Sequence, residues 1–236
     1  MIFKNVLYFL SNMCPCIIYS DDGRTIYRSV EHAYQACKTI IKKEREVIVA
    51  AKDGYEAKRL AKSITIRPDW EEIKEKVMLK ALRRKFLCGS EFGYKLIRIS
   101  EPIVEENTWG DIYWGVCNGI GENRLGVLLT RVRKEIIFCD PMVVNNKQPS
   151  DVYVGRGMGG IWGNPYALKG DYPGTILVEN IYQCLAMYEA YLFGNKKLMQ
   201  RLPELGGRVL GCYCSPSPCH GHILARLANP NMEIVE

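Results

Sequence analysis

Apolar positions along the chain fall into two rhythms, and each predicts its own kind of element. From Asp69, read as an N-cap, Trp70, Ile73, Val77, Met78, Ala81, Leu82 and Phe86 recur at three- and four-residue steps, which predicts a long amphipathic helix. Its other face carries Lys74, Lys76, Lys80, Arg83 and Arg84, diluted by Glu71, Glu72 and Glu75, and reads as solvated helix surface. Short apolar runs at Val6–Phe9 and Ile17–Tyr19 read as strands, with Asp21-Asp22-Gly23 turning the chain before Thr25–Tyr27. A shorter helix is predicted after Ser29, a natural cap: Val30, Ala33, Cys37 and Ile40 share an apolar arc, while Glu31, Gln35, Lys38 and Lys42 lie on the polar side. Further on come a strand at Val152–Val154, a glycine-rich run at Gly155–Gly163, a helix from about Leu177 to Phe193, and a last helix around Ile223–Ala228.

The stretch Asp140–Asp151 interrupts these rhythms with two prolines and a polar run, which sets a boundary between a first module (1–140) and a smaller one (151–236). The reading is an α+β chain: a mainly helical domain with a small sheet, then a smaller α/β domain. The 47% hydrophobic content suffices for packed cores in 236 residues and excludes disorder. The net charge of +6 is moderate, and residues 1–140 hold 24 basic against 19 acidic side chains, so an anionic substrate is expected to meet the first module. With neither a signal-like start nor a membrane-length apolar run, a cytoplasmic protein with no membrane partner is expected, and its ten cysteines read as reduced thiols.

Helical geometry turns each residue by 100°, so Glu31, Gln35 and Lys38 fall within about 60° of one another and bring an acid and an amine to one face. The plain alternative is a surface ion pair worth a few tenths of a kcal/mol. A second polar cluster, Glu105, Asp111, Trp114-Gly115 and Gly121-Glu122-Asn123-Arg124-Leu125-Gly126, precedes a helix running to about Arg133. Its glycines suit close approach of backbone to ligand, or simply a tight loop.

Taken in order, Phe9-Leu10-Ser11-Asn12, Gly23-Arg24, Ser29 through Lys38, Arg67-Pro68-Asp69-Trp70, Lys76-Val77-Met78, Lys85-Phe86, Asp111, Trp114-Gly115 and Asn123-Arg124-Leu125-Gly126 give a pattern that resembles the NADAR family over about Tyr8–Arg133. The resemblance implies a mainly helical α+β domain and an enzyme, a hydrolase of N-glycosyl bonds of ribose derivatives that needs no cofactor. It also implies Glu31 and Lys38 as catalytic residues, and Asn12, Arg24, His32, Gln35, Asp111, Trp114 and Asn123 as substrate-binding ones. Two substrate classes are implied. The expectation is ADP-ribosylated guanine in nucleic acid, in a setting such as phage counter-defence; the alternative is a riboflavin biosynthesis intermediate. A different class of reading is a binding module for ADP-ribose or nucleic acid without turnover. The chain departs from the family pattern at Cys37 and at Met13-Cys14, which bears on substrate preference.

Rupture of a ribosyl–nitrogen bond leaves positive charge at C1′ and needs a proton for the departing nitrogen. A carboxylate serves the first need, and an ammonium or carboxylic acid serves the second. A lysine freed of its proton by burial could instead form a Schiff base, and residue types alone leave both routes open.

Cys212-Tyr-Cys214-Ser-Pro-Ser-Pro-Cys219-His220-Gly-His222 gathers soft ligands in one turn without the paired Cys-x-x-Cys knuckles of structural zinc sites, so metal ligation and a reactive thiol at a helix start both stay open. The run Gly155–Pro165 with Arg156 could hold an anion in its amides, or be a plain turn. Val154-Gly155-Arg156, Trp162-Gly163-Asn164-Pro165 and the cysteine motif together are similar to an uncharacterised domain of phage and bacterial proteins.

Overall fold

The computed structural model describes Phe3, residues 5–157, 160–170 and 172–230. The chain divides into two compact units, one through Ile18, Thr25–Phe86 and Lys95–Arg133, the other Tyr19–Arg24, Leu87–Tyr94 and the chain from Lys134 on.

In the first unit Asn5–Leu10 forms a 3₁₀ helix where a strand was expected, because Leu10 alone of that run is buried and Val6 is 87% exposed, so no alternating face exists to pair. Strands β1 (Pro15–Tyr19) and β2 (Ile26–Ser29) pair, and Gly23 at the turn between them takes φ +70°, a conformation that favours glycine. Helix α1 (Val30–Ala36) starts on Ser29, whose hydroxyl accepts the His32 amide at 3.2 Å. It is shorter than the sequence implies: the chain leaves the helix at Cys37, and Lys38 sits in the following turn with its amide on the Gln35 carbonyl. All of its residues are buried, polar side included, whereas Ile40 is 67% exposed. Against it pack α2 (Lys42–Ala50), α3 (Gly54–Leu60) and α4 (Trp70–Lys85).

Asp69 takes the N-cap position of α4 as expected, but its side chain makes no capping bond; the carboxylate takes Arg67 in a two-pronged pair at 2.6 and 2.9 Å instead. The basic face of α4 is only partly solvated. Lys74 reaches Glu71 at 2.6 Å and lies 3.7 Å from the Tyr113 ring centroid, and Glu75 holds Arg124 by two bonds of 2.6 Å and the Tyr113 hydroxyl at 2.8 Å. Those bonds tie the 113–114 loop and the start of a later helix to α4. Helix α5 (Glu91–Ile97), whose first residues count with the second unit, the parallel two-residue strands β3 (Glu106–Asn107) and β4 (Val116–Cys117), and α6 (Arg124–Cys139), which belongs to this unit as far as Arg133, follow. Leu10, Ile18, Val30, Ile48, Met78, Leu82, Leu96 and Leu129 are at most 2% exposed and form the core.

The second unit is built on a parallel sheet in which β9 (Leu210–Cys212) lies between β5 (Val143–Asn145) and β6 (Val152–Tyr153). Thus β5 falls within the stretch read as a boundary from its prolines. Strands β7 (Tyr166–Ala167) and β8 (Ile176–Leu177) make a small parallel pair, and the helices are α7 (Ile181–Gly194), α8 (Lys196–Arg201) and α9 (His220–Ala228). Their shared core centres on Tyr188, Leu192, Leu210 and Leu224, none exposed. An Arg226–Glu189 pair at 2.6 Å joins α9 to α7. Met158 and Gly159 of the glycine-rich run lie outside the described residues. Among the described residues, no helix is long and apolar enough to cross a membrane.

Candidate active site

The local sequence around α1 forces polar groups inward. Glu31 is two residues past the cap and its amide donates to the Asn12 carbonyl at 3.0 Å, which fixes the chain just after the 3₁₀ helix against the start of α1. Gly54 opens α3 directly beside it: a Cβ there would stand 3.2 Å from the Glu31 Cβ and 2.9 Å from the Met13 sulfur. Glu31 therefore stays 5% exposed, with Oε1 accepting the Gln35 amide at 2.6 Å.

These groups line a cavity of about 650 Å³ within the first unit, a size suited to a small-molecule ligand. Glu31, Lys38, Asn12, Gln35, Asp111 and Trp114 all contribute to its wall, so six of the nine residues singled out from sequence meet at one place. Trp114 meets the Tyr34 ring edge-on at 5.5 Å, and Tyr34 in turn meets Trp70 at 4.9 Å. The Lys38 ammonium lies 5.2 Å from the Tyr34 centroid and 5.8 Å from that of Trp70, an aromatic seat that holds a cation where water is scarce. Asp111 closes its loop by accepting the Tyr113 and Trp114 amides at 3.1 and 2.8 Å on Oδ1.

The other three do not line the cavity. His32 is 1% exposed and spans α1 and the chain before α3, with Nδ1 2.8 Å from the Ser29 hydroxyl and Nε2 3.1 Å from the Ala51 carbonyl. Asn123 is a latch: its Oδ1 accepts the Glu105 amide at 3.0 Å and its Nδ2 donates to the Ile103 carbonyl at 2.9 Å. Arg24 is exposed and belongs to the second unit.

Glu105 is the residue that the choice of site residues from sequence omitted. Gly115 makes room for it, since a Cβ at that position would collide with Glu105 Oε2 and with its carbonyl. The signal was there in the Trp114-Gly115 pair, but only the fold shows what the missing side chain admits. Lys58, Tyr55, Trp109 and Glu106 also line the cavity and carried no sequence signal of their own.

The electrostatics follow from burial. Desolvation raises the Glu31 carboxyl above its usual range, opposed by the Gln35 hydrogen bond and by Lys58 and Lys38. Desolvation also lowers Lys38, opposed chiefly by Glu31. Glu105 is pushed up to about 7, first by burial and then by the Asp111 and Glu31 charges. Among the described residues, Asn12 Oδ1, Gln35 Oε1 and Glu105 Oε2 are buried acceptors without a hydrogen-bond partner. Buried acceptors left unpaired cost about 1–3 kcal/mol each, and a ligand presenting hydroxyl or amine donors would recover that cost.

A family model described as the NADAR domain matches residues 3–137, and one described as a domain of unknown function, DUF4326, matches 143–230. The chain is similar to N-glycosidase YbiA of Escherichia coli (strain K12), 38% identical over 118 residues that cover 49% of this chain and 73% of that protein. It is also similar to N-glycosidase Npun_R5314 of Nostoc punctiforme, 35% identical over 132 residues, covering 53% of this chain and 83% of the other. Riboflavin biosynthesis protein VVA0006 of Vibrio vulnificus is 34% identical over 131 residues, 54% of this chain but 35% of that longer protein. Among solved structures, the NMR structure of E. coli YbiA superposes with a TM-score of 0.52 at 33% identity, covering 58% of this chain and 82% of that one.

Proposed function

Because this chain belongs to the NADAR family, we propose that its first unit hydrolyses the N-glycosyl bond of a ribosylated small molecule, of the kind that riboflavin biosynthesis passes through. The observation that carries this reading is the meeting of Glu31, Lys38, Gln35 and Asp111 in one cavity where buried oxygen acceptors wait for donors. Names of relatives point the same way, two as N-glycosidases and one as a riboflavin biosynthesis protein.

In this reading the C1′–N bond breaks with its electron pair going to nitrogen, and Lys38 supplies the proton that nitrogen takes up. Glu31 stabilises the positive charge left at C1′ and accepts a proton from the water that adds there. Return of that proton from Glu31 to Lys38, through solvent, restores both side chains, so the cycle consumes one water and no other reactant. Lys38 suits the acid role because burial makes its ammonium a readier proton donor, while Glu31 keeps it charged. Asn12, Gln35 and Glu105 supply acceptors for ribose hydroxyls, a set that favours a sugar over a flat aromatic ligand.

A second substrate has its own support. Trp109 and Tyr55 line the cavity yet are 62% and 64% exposed, and exposed aromatics stack unpaired bases. Together with the basic excess of residues 1–140 they favour ADP-ribosylated guanine in nucleic acid. One experiment separates the two: incubate the protein with a ribosylated pyrimidine phosphate and, separately, with an ADP-ribosylated guanine oligonucleotide, and identify products by mass spectrometry. Release of base or amine plus a ribose derivative from the first supports the main reading. Release from the oligonucleotide alone supports the second. Saturable binding with no release from either, insensitive to Glu31→Gln, would mark a non-catalytic module.

A further inference from the structure

The second unit holds a group of soft ligands that N-glycoside cleavage does not use. Strand β9 ends on Cys212, the chain turns through Tyr213–Pro218, and α9 opens on Cys219 as its cap. That turn brings the sulfurs of Cys212, Cys214 and Cys219 together, all within 4.8 Å of one another. Cys212 and Cys219 are 1% and 2% exposed, and none of the three is in a disulfide. A tetrahedral ion with metal–sulfur bonds of about 2.3 Å sets its sulfurs about 3.8 Å apart, within that spread.

The surroundings are those that a bound thiolate needs. The Gly221 amide donates to the Cys219 sulfur at 3.3 Å, and the start of α9 presents its positive end there. His220, 5% exposed, has Nε2 2.9 Å from the Val154 carbonyl, which can only accept; the ring proton is therefore on Nε2 and the lone pair on Nδ1. That lone-pair nitrogen is 3.8 Å from the Cys212 sulfur. His220 is outside the group of three sulfurs that lie within 4.8 Å of one another, so it stands beside the site, against Cys212. Arg156 is close enough to act electrostatically on Cys214, and would offset the net negative charge of three thiolates around a divalent ion.

We propose that Cys212, Cys214 and Cys219 bind one zinc-type divalent ion as thiolates, with the fourth position left to solvent. Binding releases the protons that the three thiols still carry and involves no change of oxidation state. The ion would tie the end of β9 to the start of α9, so the metal serves the fold of the second unit. A separate group of Cys88, Asp140 and His222 also lies within 4.8 Å, but there the Cys88 thiol already donates to Asp140 at 3.2 Å, and it is not part of this site.

The test uses the full chain purified from zinc-supplemented culture. Elemental analysis is expected to give about one zinc per chain, and replacement by cobalt to give the absorption of a tetrahedral thiolate site. Cys212→Ser and Cys214→Ser should each lose most of the bound metal, and Cys88→Ser and Cys184→Ser should keep metal and spectrum. Should the site variants fold poorly, wild-type protein still decides: Cys212, Cys214 and Cys219 should resist alkylation until a chelator is added, as read by peptide mapping. Wild-type protein with under about a tenth of an equivalent of metal and no cobalt spectrum overturns the proposal. So does a disulfide among the three, or metal lost in Cys88→Ser and kept in Cys214→Ser.

Discussion

Replacing Glu31 by glutamine removes one charge and almost nothing else. The amide keeps an oxygen where Gln35 donates at 2.6 Å, and its volume fits the space that Gly54 leaves beside the Glu31 Cβ. Burial raises this carboxyl above its usual range, so the folded protein carries a cost for holding it ionised, and a neutral amide removes that cost. Stability should therefore be kept or improved. The rate should not be: general acid–base work is worth about 10²–10⁴-fold, or roughly 2.7–5.4 kcal/mol of barrier. Substrate binding should change little, because the unpaired acceptors on Asn12, Gln35 and Glu105 are untouched. The assay is single-turnover release of the base or amine, with melting temperature as the fold control. The variant also has a signature that a packing defect lacks. Glu31 is the main group raising the Lys38 pKa, so its loss should move the alkaline limb of the pH–rate profile to lower pH. A Glu31→Gln protein that melts normally and turns over within about threefold of wild type would refute the role given to this side chain.

Lys38→Met should abolish proton donation at a cost of about 10²–10⁴-fold, and borohydride should trap no substrate adduct on the wild-type lysine; a trapped adduct would replace the acid role by a Schiff base. Glu105→Gln should weaken KM more than kcat and remove from the pH profile of kcat/KM an ionisation near the pH of about 7 to which that carboxyl is raised; an unchanged profile would place Glu105 outside the reaction. Gly115→Ala forces Glu105 out of its place and should cost up to about 10²-fold in kcat/KM, and it should lower the melting temperature as well, because the new Cβ also meets the Glu105 backbone carbonyl. His32→Ala should act on stability instead, losing about 2–4 kcal/mol by denaturant unfolding as the Ser29 and Ala51 partners are left unpaired. Because burial lowers the His32 pKa, its neutral form is the one folding favours: wild-type stability should fall as pH drops below about 6.5, and less so in the variant.

How much of this was legible in sequence depends on which physical signal each residue sent. Ser29 announced itself because capping is local, and α4 because a sixteen-residue helix repeats its apolar step often enough to be read. The 3₁₀ helix at Asn5–Leu10 was misread because four apolar residues in a row carry no period. Asp69 holds the cap position assigned to it, but its carboxylate goes to Arg67, a competitor two residues away that offers a two-pronged ion pair in place of a backbone amide.

The polar side of α1 is the instructive case, because periodicity put Glu31, Gln35 and Lys38 on one face and was silent on whether that face met water. Helix α1 has only seven residues and is covered by three other helices, so its polar face is buried too, which an amphipathic pattern does not foretell. What distinguishes a buried polar face from a solvated one lies elsewhere in the chain: Gly54 and Gly115, whose absent side chains let α3 close on Glu31 and let Glu105 enter. Residues that make space send no chemical signal of their own. Hence the groups that bear charge could be picked from the sequence, with His32 and Asn123 included because they match the family pattern although they brace the site, whereas the residues that admit Glu105 to the cavity became readable only from the fold.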